Sequence, residues 1–292
     1  MGISTEHHLA IRSPDHLGDG VMALPALQAL ADQFELHIIG PRWIKELYFS
    51  ITSHFYVPNP APICASIVLF KPSFGSAWRA RHYQQRFGIA NGLRRHLLTD
   101  SCSNDGHRID QFNRIARLLD VTPDHIPLFQ GDSVDTPALP AQFILMIVGT
   151  NSANTVQWKG FNELAGKIEK PVVFLGGPGD EISLNTLGKG YLCLPVSLSL
   201  SQVAAISQQA SVVIGLDSGL THLAVAARNA TGISAARNII IYGSTSPEDT
   251  GPRNSTSQYN LRPVCWPCYQ KSCAINVPCL DTSVDDILGV LS

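Results

Sequence analysis

Charge is scarce in this chain. Asp, Glu, Lys and Arg make up only 15% of its 292 residues, hydrophobic residues make up 45%, and the net charge is −2. Such a balance belongs to a globular protein with no general attraction for nucleic acid. Runs long enough to cross a bilayer are missing, and the opening MGISTEHHLAIRS lacks a basic segment followed by an apolar one. A cytoplasmic protein is expected. Acidic residues are absent between Glu46 and Asp100, where Lys71, Arg79, Arg81, Arg86, Arg94 and Arg95 fall. That window predicts a positive face turned to an anionic partner. No G-x-G-x-x-G stands between a strand and a helix, and neither G-x-x-x-x-G-K-[ST] nor G-x-S-x-G occurs. Nicotinamide cofactors, P-loop chemistry and a nucleophile elbow thus lose their usual signatures.

What is present alternates between strand and helix patterns. HHLAIRS (7–13), ELHIIG (35–40) and ASIVLF (65–70) read as strands, and RIDQFNRIARLLDV (108–121) carries apolar residues at helical spacing. GDGVMALPALQALADQF (18–34) reads as a helix beginning near Ala23 or Leu24, because Pro25 belongs in a first turn or at a kink. GDSVDTPALPAQ (131–142) is rich in Pro, Asp and Ser and reads as a linker. Domains over 1–135 and 142–292 follow. The second repeats the alternation through FILMIVG, FNELAGKIE, PVVFLGG, SLSQVAAISQQA, SVVIGL, a helix containing His222, and NIIIYG. The fold class is α/β with parallel sheets.

In such sheets ligands gather beyond the C-terminal strand ends. Small and polar residues sit there: Gly18-Asp19-Gly20, Gly149 to Ser152, Gly176-Gly177, Asp217-Ser218-Gly219 and Gly243 to Ser246. Glycines and open helix N-termini suit phosphate, so the four turns in the second domain point to a nucleoside diphosphate. Group transfer from a nucleotide-bound donor to an acceptor hydroxyl needs a base, for which Asp19 is the first candidate and Asp15 and His16 are neighbours. Asp19 also reads as a helix N-cap, and His222 as a packing residue.

The segments GDGVMALPALQAL, RIDQFNRIARLL, VVFLGGPGDE, VVIGLDSGLTHLAVAA, IYGSTSPEDTGP and CWPCYQKSC, in this order, resemble the heptosyltransferase-like glycosyltransferases of family 9. The resemblance implies a GT-B fold, two Rossmann-like domains whose parallel sheets face a central cleft. It implies inverting transfer of a sugar, most often heptose from ADP-heptose, to lipopolysaccharide core, another glycan or a protein, with peripheral contact at the inner membrane. Asp19 then matches the general base. Asp217, Ser218, Gly219, Leu220 and His222 match the donor-binding segment, Asn151 and Ser152 lie near the phosphates, and Leu198 lines the nucleotide base. The acid-poor window, through Lys71, Arg79 and Arg81, is expected to hold an anionic acceptor. Two departures stand out: Val156 replaces a basic residue two positions before Trp158, with Lys159 following it, and residues 227–238 are longer than the usual connection. A non-catalytic sugar-nucleotide-binding protein and a sugar-nucleotide epimerase are the competing readings.

Cys265, Cys268, Cys273 and Cys279 form C-x2-C-x4-C-x5-C, while Cys64, Cys102 and Cys193 are scattered. In a reducing compartment the cluster suggests a structural zinc or iron site, against free thiols or a disulfide. Some relatives that glycosylate autotransporter proteins carry a four-cysteine iron site.

Overall fold

The computed structural model describes residues 7–57, 64–149, 158–187, 190–232, 237–253, 256–270 and 272–291. By contacts the chain divides into Met1–Pro127 and Leu128–Ser292. The first unit contains β1 (His8–Arg12), β2 (Glu35–Ile39), β3 (His54–Tyr56), β4 (Ser66–Leu69), β5 (Gln85–Ile89) and β6 (Asp100–Cys102). The second contains β7 (Ile144–Ile147), β8 (Val172–Leu175), β9 (Leu192–Cys193), β10 (Val212–Leu216), β11 (Arg237–Tyr242) and β12 (Thr256–Asn260).

The two sheets run β3-β2-β1-β4-β5-β6 and β12-β11-β10-β7-β8-β9, with the pairs parallel throughout. Counted within its own unit, each sheet has the doubly wound order 3-2-1-4-5-6, which reverses direction between its first and fourth strands. Those switch points are β1/β4 and β7/β10. Central strands such as ILMI and VVFL are buried along their whole length, because helices cover both faces of a parallel sheet. The expected strands and second-unit helices are found at their places.

The segment 18–34 contains the expected helix from Leu24 and one more before it. It forms two helices, Leu17–Met22 and Leu24–Ala31, separated at Ala23, with Pro25 in the first turn of the second, where no N–H is required. Helix therefore begins at Leu17, before Ala23, and Asp19 lies in a first turn.

The acid-poor window is not one positive face. Arg94 is buried and donates to the carbonyls of Ile89, Leu69 and Lys71; burial lowers its pKa to about 10. Arg86 donates to Leu97 and Tyr83 carbonyls at 2.7 and 2.5 Å. Both cations satisfy backbone oxygens. In the second unit Arg228 does the same at the C-terminus of the helix Leu200–Gln209, donating to Ser207 and Ala210 carbonyls. The stretch after Pro127 lies along the second unit: Phe129 donates to Ala226 O at 3.1 Å, and Asp132 N–H to Ser201 Oγ at 3.1 Å.

Candidate active site

In the first unit the chain leaves β1 beside the end of β4, where Phe70 N–H donates to Arg12 O at 3.0 Å. His16 caps the helix Leu17–Met22 with extended backbone and no side-chain bond. Asp19 is half-buried, and its Oδ1 lies 3.2 Å from Arg108 Nε, the two forming an ion pair. Arg108 opens the helix Arg108–Arg117 and is held by its bond to Gln111 Oε1 at 2.8 Å. Gly20 explains the close seating: a Cβ there would meet the Trp43 ring at 2.5 Å, and Tyr48 OH donates to Gly20 O at 3.0 Å. The helix is thereby pressed onto an aromatic floor that fixes where Asp19 points.

Asp15 has different company. It is paired to Arg12 at 2.6 Å and to Lys71. Burial opposes its charge, but the bonds from Lys71 and Arg12 prevail and hold its carboxyl below the usual carboxylate range. A carboxylate gripped by two cations is a poor proton acceptor. Lys71 is accordingly engaged with Asp15, and Arg81 donates to Trp78 O and stacks 4.7 Å from the centre of the Trp78 ring. Arg79 instead lines a cavity of about 230 Å³ with Arg12, Tyr56, Ser76, His82 and Tyr83.

In the second unit Asp217 follows β10 and Ser218 caps the helix Gly219–Ala230, its Oγ accepting from Thr221 N at 3.3 Å. The first N–H groups of that helix have no intrahelical acceptor, which gives an anion two donors and the positive end of a dipole. Asp217 is partly buried with both oxygens engaged: Oδ1 accepts from His222 Nε2 at 2.7 Å and Oδ2 from Thr245 Oγ1 at 2.5 Å. Burial penalises its charge, yet His222 and Thr245 outweigh that and keep its carboxyl below the usual range. His222 is thus the partner of Asp217 in a lock that joins the end of β10, its helix and the loop after β11.

The ends of β7 and β8 complete the cluster. Asp180 accepts from Gly177 N at 2.8 Å and lies so close to Gly149 that any Cβ there would collide with its carboxylate. Burial, with Glu181 nearby, raises the Asp180 carboxyl against the Gly177 bond. Leu220 packs over Gly177, where an added Cβ would be 3.1 Å away. Leu198 is half-buried, directly before the Ser199 capping box of the helix Leu200–Gln209. Asn151, Ser152 and Val156 lie outside the described residues. Lys159 borders a separate cavity with Trp158, Asp281 and Thr282.

The sequence model of glycosyltransferase family 9 (heptosyltransferase) matches residues 127–277. The chain belongs to this family. No curated protein matches it significantly by sequence. Solved structures do match this glycosyltransferase along nearly its whole length. Escherichia coli ADP-heptose lps heptosyltransferase II superposes with a TM-score of 0.73 at 18% identity, covering 97% of each chain. The family 9 glycosyl transferase of Veillonella parvula DSM 2008 gives 0.73 at 14%, covering 97% of this chain and 95% of that one. TibC of enterotoxigenic E. coli H10407, an iron-containing dodecameric glycosyltransferase, gives 0.64 at 16%, covering 100% and 76%. These likenesses establish the GT-B fold for the glycosyltransferase.

Arg108 and Asp180 were not foreseen as site residues, and Thr245 was foreseen only as part of the Gly243 to Ser246 turn. Asp180 left a local signal, the acidic residue closing GGPGD, and Thr245 stood in GSTS, whereas nothing local marked Arg108.

The cysteine segment reaches the same region. Trp266 Nε1 donates to Thr245 O at 3.0 Å, Tyr269 N–H to Ser244 O at 3.0 Å, and Arg262 stacks 4.6 Å from the centre of the Trp266 ring. Val277 N–H donates to Cys273 Sγ at 3.2 Å, and Cys279 is buried, its thiol raised by burial first and by Cys268, Cys273 and Cys265. Among the described residues no three of these sulfurs lie within 4.8 Å of one another; a tetrahedral four-sulfur site has edges of about 3.8 Å. The donor set suits zinc or iron, but its spacing is wider than the bound state needs. No helix among the described residues is long and apolar enough to cross a membrane.

Proposed function

We propose that this glycosyltransferase moves heptose from ADP-heptose to a hydroxyl of an anionic glycan acceptor, such as lipopolysaccharide core, with inversion. The observation that carries the donor assignment is the Asp217-Ser218-Gly219 turn at the β7/β10 switch point, where a capped helix presents free amides. The diphosphate rests on Gly219 and Leu220 amides with Ser218 beside it, Asp217 and His222 hold the turn toward the sugar, and Leu198 lies against the base. E. coli WaaC, solved with ADP-2-deoxy-2-fluoro heptose, has the same fold at 16% identity and supports the choice of donor.

Asp19 takes the acceptor proton as the hydroxyl oxygen attacks the anomeric carbon. The bond from that carbon to the diphosphate oxygen breaks on the opposite face, and ADP leaves with its charge stabilised by the helix N-terminus. Arg79 and Arg12 in the first unit's cavity receive acidic groups of the acceptor, and Lys71 and Arg81 add positive charge to the same unit. A lipid-linked acceptor draws the enzyme to the inner membrane surface without a spanning helix. Cys265, Cys268, Cys273 and Cys279 would hold a structural zinc or iron, joining the C-terminal segment to itself.

The purified protein is to be incubated with ADP-heptose, and separately with GDP-, UDP- and dTDP-sugars, against heptose-free lipopolysaccharide core and protein acceptors. Transfer from ADP-heptose to core is expected. Donor binding without transfer to either acceptor would favour a non-catalytic role, and turnover of nucleotide sugar alone would favour an epimerase. Elemental analysis of tag-free protein checks the cysteine site, for which under about 0.2 equivalents of zinc plus iron rejects a bound metal.

A further inference from the structure

Three histidines and a glutamate gather at the opposite end of the first sheet from Asp19. His8, Glu35 and His54 are the first residues of β1, β2 and β3. The register pairs His8 with Glu35 and His37 with His54. Period-2 alternation then places all four on one face. His8 Nδ1 and His37 Nε2 lie 3.0 Å apart, Glu35 Oε2 is 3.6 Å from His8 Nδ1, and Glu35 Oε1 is 3.9 Å from His37 Nε2. A cation held at about 2.0–2.1 Å by nitrogen and oxygen needs ligand edges of about 3.3 Å. These three groups already stand near that spacing, all within 4.8 Å of one another.

The surroundings are those of a supported metal site. Tyr56 OH lies 3.0 Å from His37 Nδ1 and, by accepting that N–H, turns the Nε2 lone pair toward His8 Nδ1, whose hydrogen bond to it a cation would replace. His54 Nε2 sits 2.7 Å from Glu35 Oε1 and its ring stacks on His37 at 4.7 Å between centres. The carboxylate and the imidazole are thus each held from behind. Glu35 is half exposed while His8 and His37 are mostly covered, which leaves an entry path from solvent. Mixed imidazole and carboxylate ligation selects zinc-class divalent ions over calcium or magnesium.

We propose that His8, His37 and Glu35 bind one zinc-class divalent cation that ties the start of β1 to the start of β2, with Tyr56 and His54 as positioning residues. Its three ligands stand away from the strand ends where ligands of the reaction gather, and Tyr56 is shared with the wall of the cavity lined by Arg79.

The test uses the metal-stripped full-length chain, titrated with zinc by calorimetry and with cobalt by absorption. One class of cobalt is expected to bind without a sulfur-to-cobalt charge-transfer band, and zinc to raise the melting temperature, with magnesium and calcium ineffective. Zinc affinity at this class should fall at least about 100-fold in the His8→Gln/His37→Gln double variant and about 10–100-fold in Tyr56→Phe. His8→Gln alone, at a strand start, keeps the test open if the double variant does not fold. Unchanged zinc affinity in His8→Gln with native circular dichroism overturns the proposal. So does cobalt binding that shows only the thiolate band and vanishes in Cys265→Ser/Cys268→Ser.

Discussion

Asp19 is placed by side chains far along the sequence. Trp43 and Tyr48 press the Gly20 turn into place, and Arg108 meets the carboxylate. As the proposed base it is expected to be separable from binding. Asp19→Asn should lower transfer by about 10²–10⁴-fold and leave nucleotide affinity unchanged, since a positioned base contributes that much to the barrier and nothing to donor binding. Steady-state kinetics beside calorimetry with ADP checks this, and transfer retained within a few-fold would move the role to Asp15 or His16. Asp19 and Asp217 could be picked out in the sequence because each follows a strand pattern and opens a helix beside glycine. Arg108 could not, since its partner lies 89 positions away and nothing local marks it, and Thr245, though within the GSTS turn, gave no sign of its bond to Asp217, 28 positions away.

Elements meet at Asp217. Its carboxylate ties the end of β10 to the helix Gly219–Ala230 through His222 and to the loop after β11 through Thr245, and that loop in turn holds Trp266. Because its folded carboxyl lies below the ordinary value of about 3.9, it stabilises the fold above that pH and the contribution is lost as pH falls further, through the folded value. The stability gap between the native chain and Asp217→Asn, from urea midpoints between pH 7 and pH 3, should therefore be constant at neutral pH and narrow only below about pH 4. A gap that stays constant to pH 3 would show that the carboxylate's charge is not what the lock uses. The long apolar strands and capped helices were legible because period and caps are local. The edge strands β3, β6 and β9, of two or three residues each, escaped, as did β5 and the edge strand β12, since pairing to a neighbour defines them more than their own pattern does.

At the scale of the molecule, the same strand order is built twice, and the proposed roles divide between the two copies. The two-unit architecture could be read from the repeated alternation, whereas the Pro127/Leu128 division could not, because Phe129 and Asp132 bond to residues 97 and 69 positions onward. If the second unit alone holds the donor, binding should slow amide exchange only where its strand ends converge. ADP, added to the full chain, is expected to protect 143–149, 172–180, 214–222 and 243–246. A phosphorylated core oligosaccharide is expected to protect 12–20 and 69–83, around the cavity lined by Arg12 and Arg79. Exchange followed by mass spectrometry resolves these segments, because local opening is suppressed where a ligand contacts the folded state. Equal protection of 12–20 and 214–222 by ADP alone would mean that the nucleotide is read by both units, and the assignment of the acid-poor window to the acceptor would fall with it.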